Sequence, residues 1–131
     1  MKQFERCRFI FVPNKLDASP RVLTEALCFN LPCLVNYNIL GGWKYVNEKT
    51  GVFFTDENDI DSAIDEMNRK LLNNEFSARE EYIKNYGPVN TGIRLRDFLY
   101  DTFGEQINVP RHKTDYVTID YPKTDYAKCE L

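Results

Sequence analysis

Between Asp17 and Pro32 the chain reads DASPRVLTEALCFNLP, with an apolar run on either side: Phe9-Ile10-Phe11-Val12 before it and Cys33-Leu34-Val35 after it. This stretch limits the fold more than any other. Short apolar runs without polar alternation suit strands buried on both faces, and one helix-length segment between them suits a parallel crossover. Ser19 offers an N-cap hydroxyl. Pro20 then takes the first helical position, where its fixed φ helps and its missing N–H costs nothing. The helix is expected from Pro20 to Phe29, with Val22, Ala26 and Phe29 on the apolar stripe and Leu23 and Leu27 widening it. Asn30 is a left-handed stop before Leu31-Pro32.

Ligands of such βαβ units bind beyond the carboxyl ends of the strands, so the loops at 13–19 and 36–44 are expected side by side at one edge. Arg21 and Glu25 are one helical turn apart near the helix N-terminus, where backbone N–H groups and the dipole favour an anion. The plainer reading of the pair is a solvated carboxylate beside a surface cation. Gly41-Gly42 ahead of Trp43 offers backbone that a ligand can approach closely, although a double glycine also serves simply as a turn.

The remaining chain continues the α/β pattern. Val52-Phe53-Phe54 reads as a third short strand and Thr55 to Asn58 as candidate caps for the next helix. Ile60, Ile64, Met67 and Leu71 recur at helical spacing with acidic residues on the other side. Ser77-Ala78-Arg79-Glu80 has the form of a capping box, and the helix it opens stops at Gly87-Pro88. A last helix is expected from about Thr91 to Phe103, burying Ile93, Leu95, Phe98 and Leu99 and ending at Gly104. The packed domain is therefore expected over residues 1–104. Residues 105–131 form a polar extension in which Lys113-Thr114-Asp115-Tyr116 recurs as Lys123-Thr124-Asp125-Tyr126, read as flexible or partner-docking.

Composition narrows the partners. A net charge of −3 gives no basic footprint, so nucleic acid is not expected as a partner. No apolar run is long enough for a membrane span, and the start MKQFERCRFIFVP lacks the pattern of a signal peptide, so a cytoplasmic protein is expected. Cys7, Cys28, Cys33 and Cys129 form no Cys-x-x-Cys pair and have only His112 for company, which favours reduced thiols over a metal site.

Taken together, KLDASPRVLTEALCFNLPCLVNYN followed by GGWKYVNEKTGVFF resembles the C-terminal, nucleotide-sugar-binding domain of GT-B glycosyltransferases of the glycogen-synthase and sucrose-synthase type, over roughly residues 5–104. The family pattern is a strand, an acidic loop, a small-residue and proline turn, a helix carrying Glu, a Leu-Pro strand, a glycine pair and a Thr-Gly strand. All of these occur here in order. Asp17 and Glu25 keep the spacing of the family's paired acids, with Asp where the family usually has Glu.

The resemblance implies a partial Rossmann-like parallel sheet with flanking helices and a transferase moving a hexose from a nucleotide diphosphate sugar. That reaction would be retaining and metal-independent, with no cofactor beyond the donor. By the same resemblance Asp17 approaches the transferred sugar as the catalytic group. Ser19, Pro20 and Arg21, with Gly41 and Gly42, face the donor diphosphate, and Glu25 accepts the ribose hydroxyls. The family's diphosphate-clamping Arg and Lys and its acceptor domain are not in this chain, so an N-terminal half or a homo-oligomer is expected to complete it. The rival reading is a noncatalytic binding or interaction module of the same descent.

Overall fold

The computed structural model describes residues 4–104. The residues form a 3-10 turn (Phe4–Arg6), β1 (Ile10–Val12), α1 (Arg21–Cys28), β2 (Cys33–Asn36), a second 3-10 turn (Trp43–Tyr45), β3 (Gly51–Phe54), α2 (Ile60–Leu72), α3 (Ala78–Tyr86) and α4 (Pro88–Phe103). The fold is α/β, with a three-stranded parallel sheet in the order β1-β2-β3 and flanking helices, compatible with a partial Rossmann-like arrangement. The chain divides into one compact unit through Asp97 and a second from Phe98 onward. Of the second, the described part is the end of α4 and Gly104, which has a left-handed φ of 55° as a helix-ending glycine should.

Alternation along the strands sends successive side chains to opposite faces. Cys33 and Val35 of β2 join Val12, Leu23, Ala26 and Leu27 in one core cluster, against which Tyr82 of α3 packs. Leu34 joins Val52, Phe54, Ala63 and Met67 on the opposite face, with Ile60, Ile64 and Leu71 packed around them. Register fits this division: Leu34 pairs with Val52, and Val35 with Phe53. The apolar periodicity expected for α2 is therefore the one used. Gly51 permits the β2–β3 approach, because a Cβ there would overlap the Cys33 carbonyl. Thr50 just before it is buried, and its hydroxyl donates to the Tyr45 carbonyl at 2.8 Å.

Several expectations need correction. α1 begins at Arg21, with Pro20 at the N-cap position and no side-chain cap, so Ser19 does not cap it. The helix forms without that hydrogen bond because Leu23 and Leu27 are fully buried. Each such burial contributes roughly 1.5–3 kcal/mol, against about 1 kcal/mol for a cap. The buried face is Leu23, Ala26 and Leu27, while Val22 and Phe29 are exposed on its flanks. The apolar arc is wider than the surface offered to it, and Phe29 instead meets Phe4 with ring centroids 5.3 Å apart.

Asn30 does take the left-handed conformation, with φ 60°. That conformation also delivers its side-chain oxygen to the Arg79 N–H at 3.0 Å. The first turn of α3 is thus capped from the end of α1, and the Ser77–Glu80 capping box makes no side-chain cap. At α2 the cap position belongs to Asp59 rather than to Thr55–Asn58. α4 starts at Pro88, earlier than expected, and none of its residues is buried, including Leu95 and Phe98. With α1 and α3 on one face of the sheet and α2 on the other, no sheet face remains for it. The repeated Lys-Thr-Asp-Tyr segments lie outside the described residues.

Candidate functional site

The loops leaving β1 and β2 run side by side, as expected. Leu40 N–H donates to the Lys15 carbonyl at 3.0 Å, and Gly41 N–H donates to the Asp17 carbonyl at 3.0 Å. Glycine is required at both positions of the pair. A Cβ on Gly41 would overlap the Ala18 carbonyl, and one on Gly42 would come within 2.7 Å of Pro20 Cγ and 2.9 Å of a Leu23 methyl. Gly42 also has a φ of 85°, which L side chains rarely adopt. The pair is therefore spent on loop-to-loop approach, and it draws the turn that follows it against the start of α1.

The result is a groove of about 500 Å³. One side is the turn Ala18-Ser19-Pro20 with Arg21 and Thr24 of α1, and the other is Gly41-Gly42 with the 3-10 turn and Tyr82. Ser19, Pro20, Arg21, Gly41 and Gly42 are thus brought together. Trp43, Lys44, Tyr45 and Tyr82 join them and were not singled out from sequence. The first three carried a signal, a cation between two aromatics directly after a glycine pair. Tyr82 carried none, because only the packing of α3 against α1 brings it here.

Arg21 and Lys44 are exposed and line the groove. The Lys44 ammonium lies over the Tyr45 ring, 5.0 Å from its centroid. Tyr45 in turn meets Tyr86 edge-on at 4.7 Å and Tyr82 at 5.6 Å. Partial burial raises the Tyr82 phenol above its ordinary pKa, with smaller contributions from Cys28 and Tyr45. No acidic residue lies in the first turn of α1. The groove thus combines two cations, a helix start without a negative charge of its own and aromatic walls, a combination suited to an anion joined to a flat ring.

The two acids lie outside the residues that line this groove. Asp17 is half-buried, accepts a hydrogen bond from Ser19 N–H at 2.9 Å through Oδ1, and borders a separate open depression with Asn14, Lys15 and Leu16. Glu25 is exposed one turn beyond Arg21, and among the described residues no ion pair joins the two. Among the described cysteines, Cys7 and Cys28 are exposed and Cys33 is buried. Burial pushes the Cys33 thiol up to about 12. Among the described residues no helix is long and apolar enough to cross a membrane. No family model, curated protein or solved structure matches the chain.

Proposed function

We propose that this chain is the donor-binding portion of a GT-B glycosyltransferase that transfers a hexose from a nucleotide diphosphate sugar. One observation carries the reading: the uncapped start of α1, the glycine pair and the cations Arg21 and Lys44 meet in a single groove. In this reading the diphosphate sits against the Ser19–Arg21 turn and between the two cations. There N–H groups and positive charge stabilise the negative charge that builds on the leaving diphosphate. Glu25, one turn along α1, accepts the ribose hydroxyls, since a carboxylate takes two vicinal O–H donors. Asp17 faces the transferred sugar from the adjoining loop.

Calorimetric titration with UDP, GDP and ADP tests the binding. No heat from any of them at millimolar concentration rejects it. Glu25→Gln keeps the shape and removes the charge, and hydrogen bonds to a charged group contribute roughly 1.5–3 kcal/mol each, so affinity should fall about ten-fold or more. The parent should also prefer a ribonucleotide to its deoxy form. Equal affinity for the two, or an unchanged Glu25→Gln, removes Glu25 from the site.

A second reading, a noncatalytic nucleotide-sugar module, is favoured by a different observation. The Asp17 carboxylate is engaged with the Ser19 N–H, and no carboxylate is among the residues lining the groove. Sugar release or transfer from a bound donor distinguishes the two, with binding common to both.

A further inference from the structure

The turn that carries Lys44 is three residues long: Trp43 and Lys44 are exposed, and only Tyr45, half-buried, packs against the core. Lys44 itself is therefore held through its backbone and through the ring of Tyr45 beside it. The carbonyls on either side of Lys44 are taken locally, Trp43 by Val46 N–H at 3.0 Å and Tyr45 by the Thr50 hydroxyl at 2.8 Å. The Lys44 carbonyl is taken from far along the chain, by the Tyr86 hydroxyl at 2.7 Å.

Tyr86 grips the same turn a second way. Its ring meets Tyr45 edge-on, with centroids 4.7 Å apart and planes at 83°, and Tyr45 is the ring over which the Lys44 ammonium lies. One residue at the end of α3 thus holds both the backbone of Lys44 and the aromatic surface under its charge. We propose that Tyr86 is a positioning residue for anion binding, acting through Lys44. This rests on the nucleotide reading of the groove and adds to it a residue that does not itself line the groove.

The hydroxyl supplies one hydrogen bond, and the ring contact survives its removal, so Tyr86→Phe should keep the fold and loosen only the cation. The test is a double-mutant cycle on the full chain, using whichever of UDP, GDP and ADP binds the parent most tightly, with Tyr86→Phe, Lys44→Ala and the pair together. Thermal midpoints accompany each titration. Expected is a loss of about three- to ten-fold for Tyr86→Phe alone, the range that one neutral hydrogen bond supports. Expected in the Lys44→Ala background is a further loss below about two-fold, because the group being positioned is gone. Tyr86→Phe should also flatten the salt dependence of binding, which a general loosening of the fold would not do. Unchanged affinity for Tyr86→Phe overturns the proposal, as does an equal loss in both backgrounds. If the parent binds none of the three nucleotides, the nucleotide reading falls and this inference with it. If the parent binds and only the cycle fails, the inference alone falls.

Discussion

Two helices start from the carboxyl ends of parallel strands in this molecule, and their starts are built in opposite ways. Before α2 the loop closes on itself. The Asp59 carboxylate accepts from Thr55 N–H at 2.9 Å and from Asp56 N–H at 3.0 Å, Asp56 accepts from Asn58 N–H at 2.8 Å, and Asp61 adds a charge in the first turn. Before α1 there is a proline at the cap position, no acid in the first turn and a cation, Arg21, at its first residue. Besides one internal bond, Ser19 N–H to the Asp17 carboxylate, the loop is held from outside, by Lys15 and Asp17 carbonyls that accept from Leu40 and Gly41. Neither start has a side-chain cap, so the contrast is one of charge. The carboxylates at the α2 start repel a foreign anion, whereas the α1 start lacks them and leaves its dipole to attract one. The same sheet edge therefore presents one closed terminus and one open one.

The largest expected effect comes from breaking the support of the open terminus. Gly41→Ala puts a methyl into the Ala18 carbonyl, backbone against backbone, with no flexible side chain to yield. Stability should fall by about 2–3 kcal/mol, and the thermal midpoint by roughly 10 °C or more. Nucleotide affinity should fall with it, measured below the new midpoint. A midpoint like that of the parent would mean that the two loops are not locked together.

Converting the open terminus into a closed one sharpens the contrast. Arg21→Glu removes a groove cation and places a carboxylate at the first residue of α1. The two readouts should move in opposite directions. Thermal stability should rise slightly, since an acid at a helix start contributes about 0.3–1 kcal/mol at an exposed site. Nucleotide affinity should fall by at least about ten-fold, because an attractive contact becomes a repulsive one. Affinity that holds steady places the anion elsewhere.

How far this was legible in the sequence follows from the range of each interaction. The strands, the crossover helix, the face of α2 and the loop adjacency all follow from local periodicity, and all are present. Ser19 was misassigned because capping preference is local, whereas α1 is anchored by Leu23 and Leu27 in the core. Ser77 stands at the cap position of α3 as expected, but its side chain makes no cap bond; Asn30, 49 residues before Arg79, supplies the oxygen to the Arg79 N–H instead. Within the candidate site, the glycine pair and the Ser19–Arg21 turn could be found because they are loop residues whose spacing is tied to the strands. Tyr82 and Tyr86 could not, since α3 reaches the groove only through its packing on α1, and no period within α3 announces it.

The smallest expected effect tests the closed terminus by pH. Hydrogen bonds from the Asp56 and Thr55 backbone hold the Asp59 carboxyl below its ordinary value of 3.8. A depressed folded pKa means that the unfolded chain binds the proton more readily as acid is added. The stabilisation is therefore fully present above about 3.8 and is lost as pH falls through the lower folded value. Glu75, held below its ordinary 4.5 chiefly by the Asn73 side-chain amide, adds to the acid lability of the parent, so the informative quantity is a difference between two proteins. Asp59→Asn keeps an acceptor oxygen but loses the charge, and its thermal midpoint should lie slightly below that of the parent at neutral pH. The two melting curves should converge as pH drops under the ordinary aspartate range. Because Asp59 is at the surface and only half-buried, the gap should be small, and salt should narrow it. Nucleotide affinity should be the same for both proteins at neutral pH. A gap that persists in acid would show that the Asp59 charge is not what closes this loop. A loss of nucleotide affinity comparable with that of Arg21→Glu would erase the distinction between the two helix starts.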